Sequence, residues 1–173
     1  MLYTILEDLI FYQIVSLERK FSNYEIKLSE YFFEKFNVYP KCVFVINPFI
    51  FFILDKDLIT FYRVKKHLYL LRKQLGKKIA LIREQNTLIH LLYSFFPDTF
   101  IYDINIETQN NSKDKSIAIK LLSYEDRGIA IGRNGEYIKA VNQLLKRHIR
   151  FQNNKPNIKI ECKITSINGK CQN

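Results

Sequence analysis

The sequence predicts an α+β fold made of two copies of one α-β-β-α-α-β unit. Each copy is a three-stranded mixed sheet packed on helices, and an added N-terminal helix precedes the pair. Three observations predict this. At 173 residues with 47% apolar content, the chain is long enough and greasy enough for a packed core. Helix-period stretches and short β-rich runs occur in the same order twice. Sliding the chain by 70 residues, 49 onto 119, also lays apolar positions over apolar ones. Phe49, Phe51, Phe52, Ile59, Phe61, Leu68, Leu71, Leu75, Ile79 and Leu81 fall on Ile119, Leu121, Leu122, Ile129, Ile131, Ile138, Val141, Leu145, Ile149 and Phe151.

The elements follow in order. Leu2, Ile5, Leu6, Leu9, Ile10, Ile14 and Leu17 recur at helical spacing, which predicts one helix over residues 2 to 21. It fills most of an extension over residues 1 to 25, which is expected to cap the first unit, with docking of a partner as the alternative. Ser22-Asn23 breaks it, and a helix resumes over 26 to 36 around Tyr31, Phe32, Phe33 and Phe36. CVFVI and FIFFIL are strands joined at the Asn47-Pro48 turn. Residues 65 to 75 read as a helix, Gly76 as its stop and KIALI as a strand. These make a first unit over residues 26 to 84. The second unit covers 85 to 164. QNTLIHLLYSF is a helix ended by Pro97, FIYDINIET alternates as a strand, QNNSKDKS is a hairpin loop and IAIKLL is the returning strand. SYEDRGIAI enters a short helix, with Ser123 as N-cap and Glu125 and Asp126 in the first turn. GRNG is a loop, EYIKAVNQLLKRHI a helix, NNKP a break and NIKIECKI the last strand. Residues 165 to 173 are a tail.

The formal net charge is +10, from 27 Lys and Arg against 17 Asp and Glu. An excess of that size on a small chain favours a polyanionic partner. The longest apolar run, Val43 to Leu54, is about half a bilayer span and holds Asn47 and Pro48, so no membrane span is expected. The N-terminus carries Glu7 and Asp8 and lacks the basic start of a signal peptide. A cytoplasmic monomer is the expectation. Cys42, Cys162 and Cys171 show no CxxC spacing, and His67, His90 and His148 lie far apart. Neither a disulfide framework nor a metal site is expected. No P-loop, Ser/His/Asp order or carboxylate pair beside a histidine occurs, so the sequence predicts no enzyme, no cofactor and no small-molecule substrate.

Three of the five glycines lie in DRGIAIGRNGEY, residues 126 to 137. Gly132-Arg133-Asn134-Gly135 sits between two helices. Glycines there allow a sharp turn and remove β-carbons where a phosphodiester backbone would approach, and the amides of the next helix face an anion. Arg133 adds charge and Asn134 tolerates a left-handed conformation. The loop resembles the GXXG loop of a KH domain, which clamps about four single-stranded nucleotides. Ile131, with its neighbours, is read as groove floor or core. Lys139, Lys146, Arg147 and Arg150 follow the loop as candidate phosphate contacts, with a solvated face as the alternative. At the 70-residue shift the matching loop is Tyr62-Arg63-Val64-Lys65, without glycine. Tyr62, Arg63, Lys65 and Lys66 are read there as auxiliary contacts through charge and stacking.

SYEDRGIAIGRNGEYIKAVNQLLKRHI resembles the second KH unit of the archaeal-type NusA family of transcription factors. LGKKIALIRE is similar to a segment of the family's first unit. The resemblance covers residues 26 to 164. It implies tandem type II KH units without an S1 domain, single-stranded RNA as ligand, and a role in transcription elongation, termination or antitermination. RNA polymerase or the ribosome would be the protein partner. The alternative is a structural docking subunit of either machine.

Overall fold

A computed structural model describes residues 9–108, 115–152 and 158–165. The architecture is α+β, with mixed sheets packed on helices. In chain order the elements are β1 (Val15–Leu17), α1 (Asn23–Phe36), β2 (Cys42–Ile46), β3 (Phe49–Leu54), α2 (Leu58–Lys66), α3 (Leu68–Leu75), β4 (Lys78–Arg83), α4 (Leu88–Phe95), β5 (Ile101–Thr108), β6 (Lys115–Leu121), α5 (Tyr124–Ile131), a 3-10 turn (Arg133–Gly135), α6 (Glu136–His148), β7 (Ile149–Phe151) and β8 (Ile158–Ile164). Two compact units result: Met1–Pro97 with Ala140–Lys155, and Asp98–Lys139 with Pro156–Asn173. The division falls inside α6.

In the first unit α1 starts from a capping box. The Ser22 hydroxyl accepts the Glu25 N–H at 3.2 Å and the Glu25 carboxylate accepts the Ser22 N–H at 2.8 Å. Left-handed Asn37 ends the helix. β2 and β3 form an antiparallel hairpin, and β4 runs parallel to β3 on its other side. The α2–α3 segment is the crossover that this parallel pairing requires. Asp57 caps α2 through the Ile59 and Thr60 amides, and Gly76, at φ 59°, ends α3. Central β3 is buried on both faces, with Ile50 to Leu54 each at most 1% exposed. That explains why these strands read as continuous apolar runs and not as alternation. One face packs Val43, Ile50, Phe52, Leu54, Ile79 and Leu81 against Leu28, Phe32, Phe61, Val64, Leu68 and Leu71 from the three helices. Phe32 stacks on Phe52 with ring centroids 4.6 Å apart. On the other face the Phe44 ring lies 4.4 Å from His148.

The single helix expected over residues 2 to 21 is not found. Residues 1–8 lie outside the described set, Leu9–Phe11 are helical, and the chain then becomes extended. β1 pairs antiparallel with β7, Val15 opposite Phe151. Gln13 and Val15 are buried while Ile14 and Ser16 are exposed, a period of two. The adjacent β-branched Ile14 and Val15 suit a strand, and a distant partner overrides the helical spacing. Ion pairs flank this ribbon, Arg150 to Glu18 at 2.8 Å and Arg19 to Glu84 at 3.0 Å.

In the second unit β6 is central, antiparallel to β5 and parallel to β8. Its residues Ser116 to Ile119 and Leu121 are buried. β8 contributes Ile160 and Cys162, and β5 contributes Ile104. Ser123 caps α5 as expected: its hydroxyl accepts the Asp126 N–H at 3.0 Å and donates to the Asp126 carboxylate at 2.6 Å. That carboxylate also accepts the Phe100 N–H at 3.3 Å. Arg127 Nε donates to the Cys162 carbonyl at 3.2 Å, tying α5 to β8. The bulk of the expected hairpin loop (109–114), the NNKP break and the tail from 166 onward lie outside the described residues.

Two outcomes follow from this packing. Phe32→Ala should lower stability by about 3–5 kcal/mol, read by urea unfolding; a loss below about 1 kcal/mol would contradict the stacked core. Burial raises the Cys42 and Cys162 thiols to about 11, leaving little thiolate at neutral pH. Both should therefore resist iodoacetamide at about pH 8 in the native protein and react readily in urea. Equal rates in the two states would contradict their burial.

Candidate nucleic-acid interface

The turn between α5 and α6 is built from three residues with positive φ. Gly132 closes α5 by donating its N–H to the Gly128 carbonyl at 3.0 Å. Its φ of 72° and ψ of 173° fall in a region open essentially to glycine alone. A Cβ there would stand 2.8 Å from Tyr137 Cβ and 3.2 Å from the Tyr137 nitrogen. Asn134 (φ 52°) and Gly135 (φ 69°) are left-handed, and the Gly135 N–H donates to the Gly132 carbonyl at 3.0 Å. A Cβ on Gly135 would meet nothing nearer than Ile138 Cγ2 and Lys139 Cε at 4.0 Å. The two glycines therefore do different jobs. Gly132 makes the turn possible, and Gly135 leaves its outer side open. Arg133 and Asn134 are exposed at the tip, Ile131 is half-buried behind them, and Lys139 is exposed in the first turn of α6. Burial pushes the Tyr137 hydroxyl pKa up, so the residue beneath the turn stays neutral.

The remaining predicted residues are placed elsewhere. Lys146 and Arg147 lie in the last turn of α6, where cations complement the helix dipole. Arg150 lies on β7 and pairs with Glu18 at 2.8 Å. All three pack with the first unit, so only Arg133 and Lys139 among the predicted cations share the second unit with the turn.

The glycine-free loop Tyr62-Arg63-Val64-Lys65 is not a loop. These residues lie inside α2, and Val64 is fully buried in the core. The helix junction comes later, at His67 between Lys66 and Leu68. The 70-residue shift is four residues too long here, because the N-caps Asp57 and Ser123 are 66 apart. A slip of four nearly keeps a helix face and fully keeps strand alternation, so apolar positions still coincide. The same shift laid β4 on β7, whereas the parallel edge strand of the second sheet is β8. Tyr62, Arg63 and Lys66 are exposed on α2 and Lys65 is half-buried.

Sequence reasoning also missed where the charge sits. The first unit holds 18 Lys and Arg against 9 Asp and Glu, a net +9; the second holds 9 against 8, a net +1. A tally by unit would have found this, but the tally needs a boundary inside α6. Among the described residues no three His, Cys, Asp or Glu side chains gather as a metal site would require. No described helix is long and apolar enough to cross a membrane.

Among solved structures, the crystal structure of APE1850 is similar in fold. The TM-score is 0.57 at 22% identity, over 83% of this chain and 100% of that one. Neither a family model nor a curated protein matches the chain.

The division of labour between the glycines has a measurable result. Gly132→Ala should cost about 3 kcal/mol of stability and Gly135→Ala about 1 kcal/mol. Equal costs in chemical denaturation would contradict it.

Proposed function

We propose that this chain is a non-enzymatic, single-stranded RNA-binding factor of tandem type II KH units. On this reading it is NusA-like and acts in transcription elongation, termination or antitermination. The observation that carries the reading is the 132–135 turn. Its positive-φ backbone lies between two helices, an arginine stands at the tip, and Gly135 is open to a phosphodiester. Two further features support it. The order α-β-β-α-α-β occurs twice, the second time with β7 inserted before β8, and each sheet has one antiparallel and one parallel pairing. The net charge of +10 suits a polyanion.

A second reading, a docking subunit of the ribosome or RNA polymerase, draws on one observation. Phe100, Tyr102 and Tyr124 of the nearly neutral second unit are all strongly exposed. A protein partner retained through nuclease treatment and high salt would favour it.

The clamp is tested at Gly135, because Gly132 is needed for the turn itself. Gly135→Asp should weaken binding of a fluorescent RNA oligomer by about tenfold or more while circular dichroism stays unchanged. Undiminished affinity in the folded variant would remove the clamp assignment.

A further inference from the structure

We propose that the first unit binds single-stranded RNA on the outer face of α2 and α3, by charge and stacking and without a glycine turn. This deepens the RNA-binding reading above and rests on it. From Leu58 to Arg83 the chain carries eight Lys and Arg and no Asp or Glu. The two helices spend their apolar side on the core through Phe61, Val64, Leu68 and Leu71. The opposite side is solvent-facing. Ile59, Tyr62, Arg63 and Lys66 form an exposed row at i, i+3, i+4 and i+7 of α2. Tyr69 and Lys73 continue it on α3, and Lys77 follows Gly76.

Several of the eight cations are already engaged. Arg72 donates to the Ile79 carbonyl at 3.2 Å, Lys78 lies over the Phe49 ring and Arg83 over the Phe61 ring. Lys66, Lys73 and Lys77 have no ion pair among the described residues. They are exposed charges with no counterion among the described residues. Tyr62 and Tyr69 are 55% and 61% exposed and offer ring faces to bases. At the helix junction a groove of about 310 Å³ is lined by Lys35, Phe36, His67, Leu70, Leu71 and Gln74. It lies between α1 and α3, beside the row and not within it. An anionic membrane fits less well. A helix lying on a bilayer needs a continuous free apolar face; here Phe61, Val64, Leu68 and Leu71 are committed to the core, and the exposed Ile59 stands among Tyr62, Arg63 and Lys66.

The test uses the full chain and an oligo-uridylate of about 12 nucleotides, with affinity measured across a salt series. K66E/K73E/K77E should lower affinity about tenfold or more and reduce the salt slope by about 2. Tyr62→Ala with Tyr69→Ala should lower affinity several-fold and leave the slope unchanged. Gly135→Asp, run alongside, should change the slope by less than about 1. Circular dichroism checks each fold, and K66Q/K73Q/K77Q carries the same expectation should charge reversal disturb folding. If the unaltered chain binds no RNA, the RNA-binding reading falls and this inference with it. If it binds, and both lysine variants keep its affinity and slope, this inference alone falls. Lysine variants that lose binding to phosphatidylserine vesicles but keep RNA would also overturn it.

Discussion

The parallel pairing of β3 with β4 is the constraint from which the first unit follows. Parallel neighbours cannot be joined by a tight turn, so the chain must cross over the sheet. α2 and α3 are that crossover. Burying one side of them on β3 decides which residues face out. Phe61, Val64, Leu68 and Leu71 go in. Lysines and arginines stay out, because no buried carboxylate is available there to offset their desolvation. β6 and β8 impose the same requirement in the second unit. There the crossover is α5, the 3-10 turn and α6, and the positive φ at Gly132, Asn134 and Gly135 lets the chain change direction between its helices.

Much of the element order was legible because it depends on local signals. Double-sided burial gives CVFVI, FIFFIL and KIALI their unbroken apolar runs. Ser123 and Gly76 mark helix ends by chemistry that acts within a few residues. The failures have two origins, a partner distant in sequence and a periodicity that tolerates slips. Residues 13–17 satisfy a helical pattern until Ile149–Phe151 is present to pair with them. The internal repeat was visible but its phase was not, since a four-residue slip costs almost nothing in apolar matching. That slip moved the first helix junction from His67 to the middle of α2, and with it the meaning of Tyr62 and Arg63.

The candidate site was legible in kind and not in detail. The sequence marks 132–135 as a glycine turn beside charge, but composition cannot say what each glycine is for. Only the backbone angles and the nearness of Tyr137 separate a glycine that the turn demands from one that leaves space. Likewise Lys146, Arg147 and Arg150 follow the turn in sequence yet pack with the first unit, where Arg150 is paired with Glu18. The proposed function thus draws on two different chemistries. One is a shaped backbone with little net charge around it, and the other is a solvent-facing row of cations and tyrosines on helices.

The ribbon of β1 and β7 has a consequence for how the chain is made. It joins Val15 to Phe151, so the first unit is discontinuous and the second unit begins as an excursion within it. Contacts of such long sequence separation carry a large closure entropy and form late. During synthesis the sheet β2-β3-β4 and its helices can assemble as soon as they emerge. β1 meets residues 86–88 early, through the Val15 N–H to the Asn86 carbonyl at 2.8 Å, but cannot complete its ribbon until Ile149–Phe151 has left the ribosome.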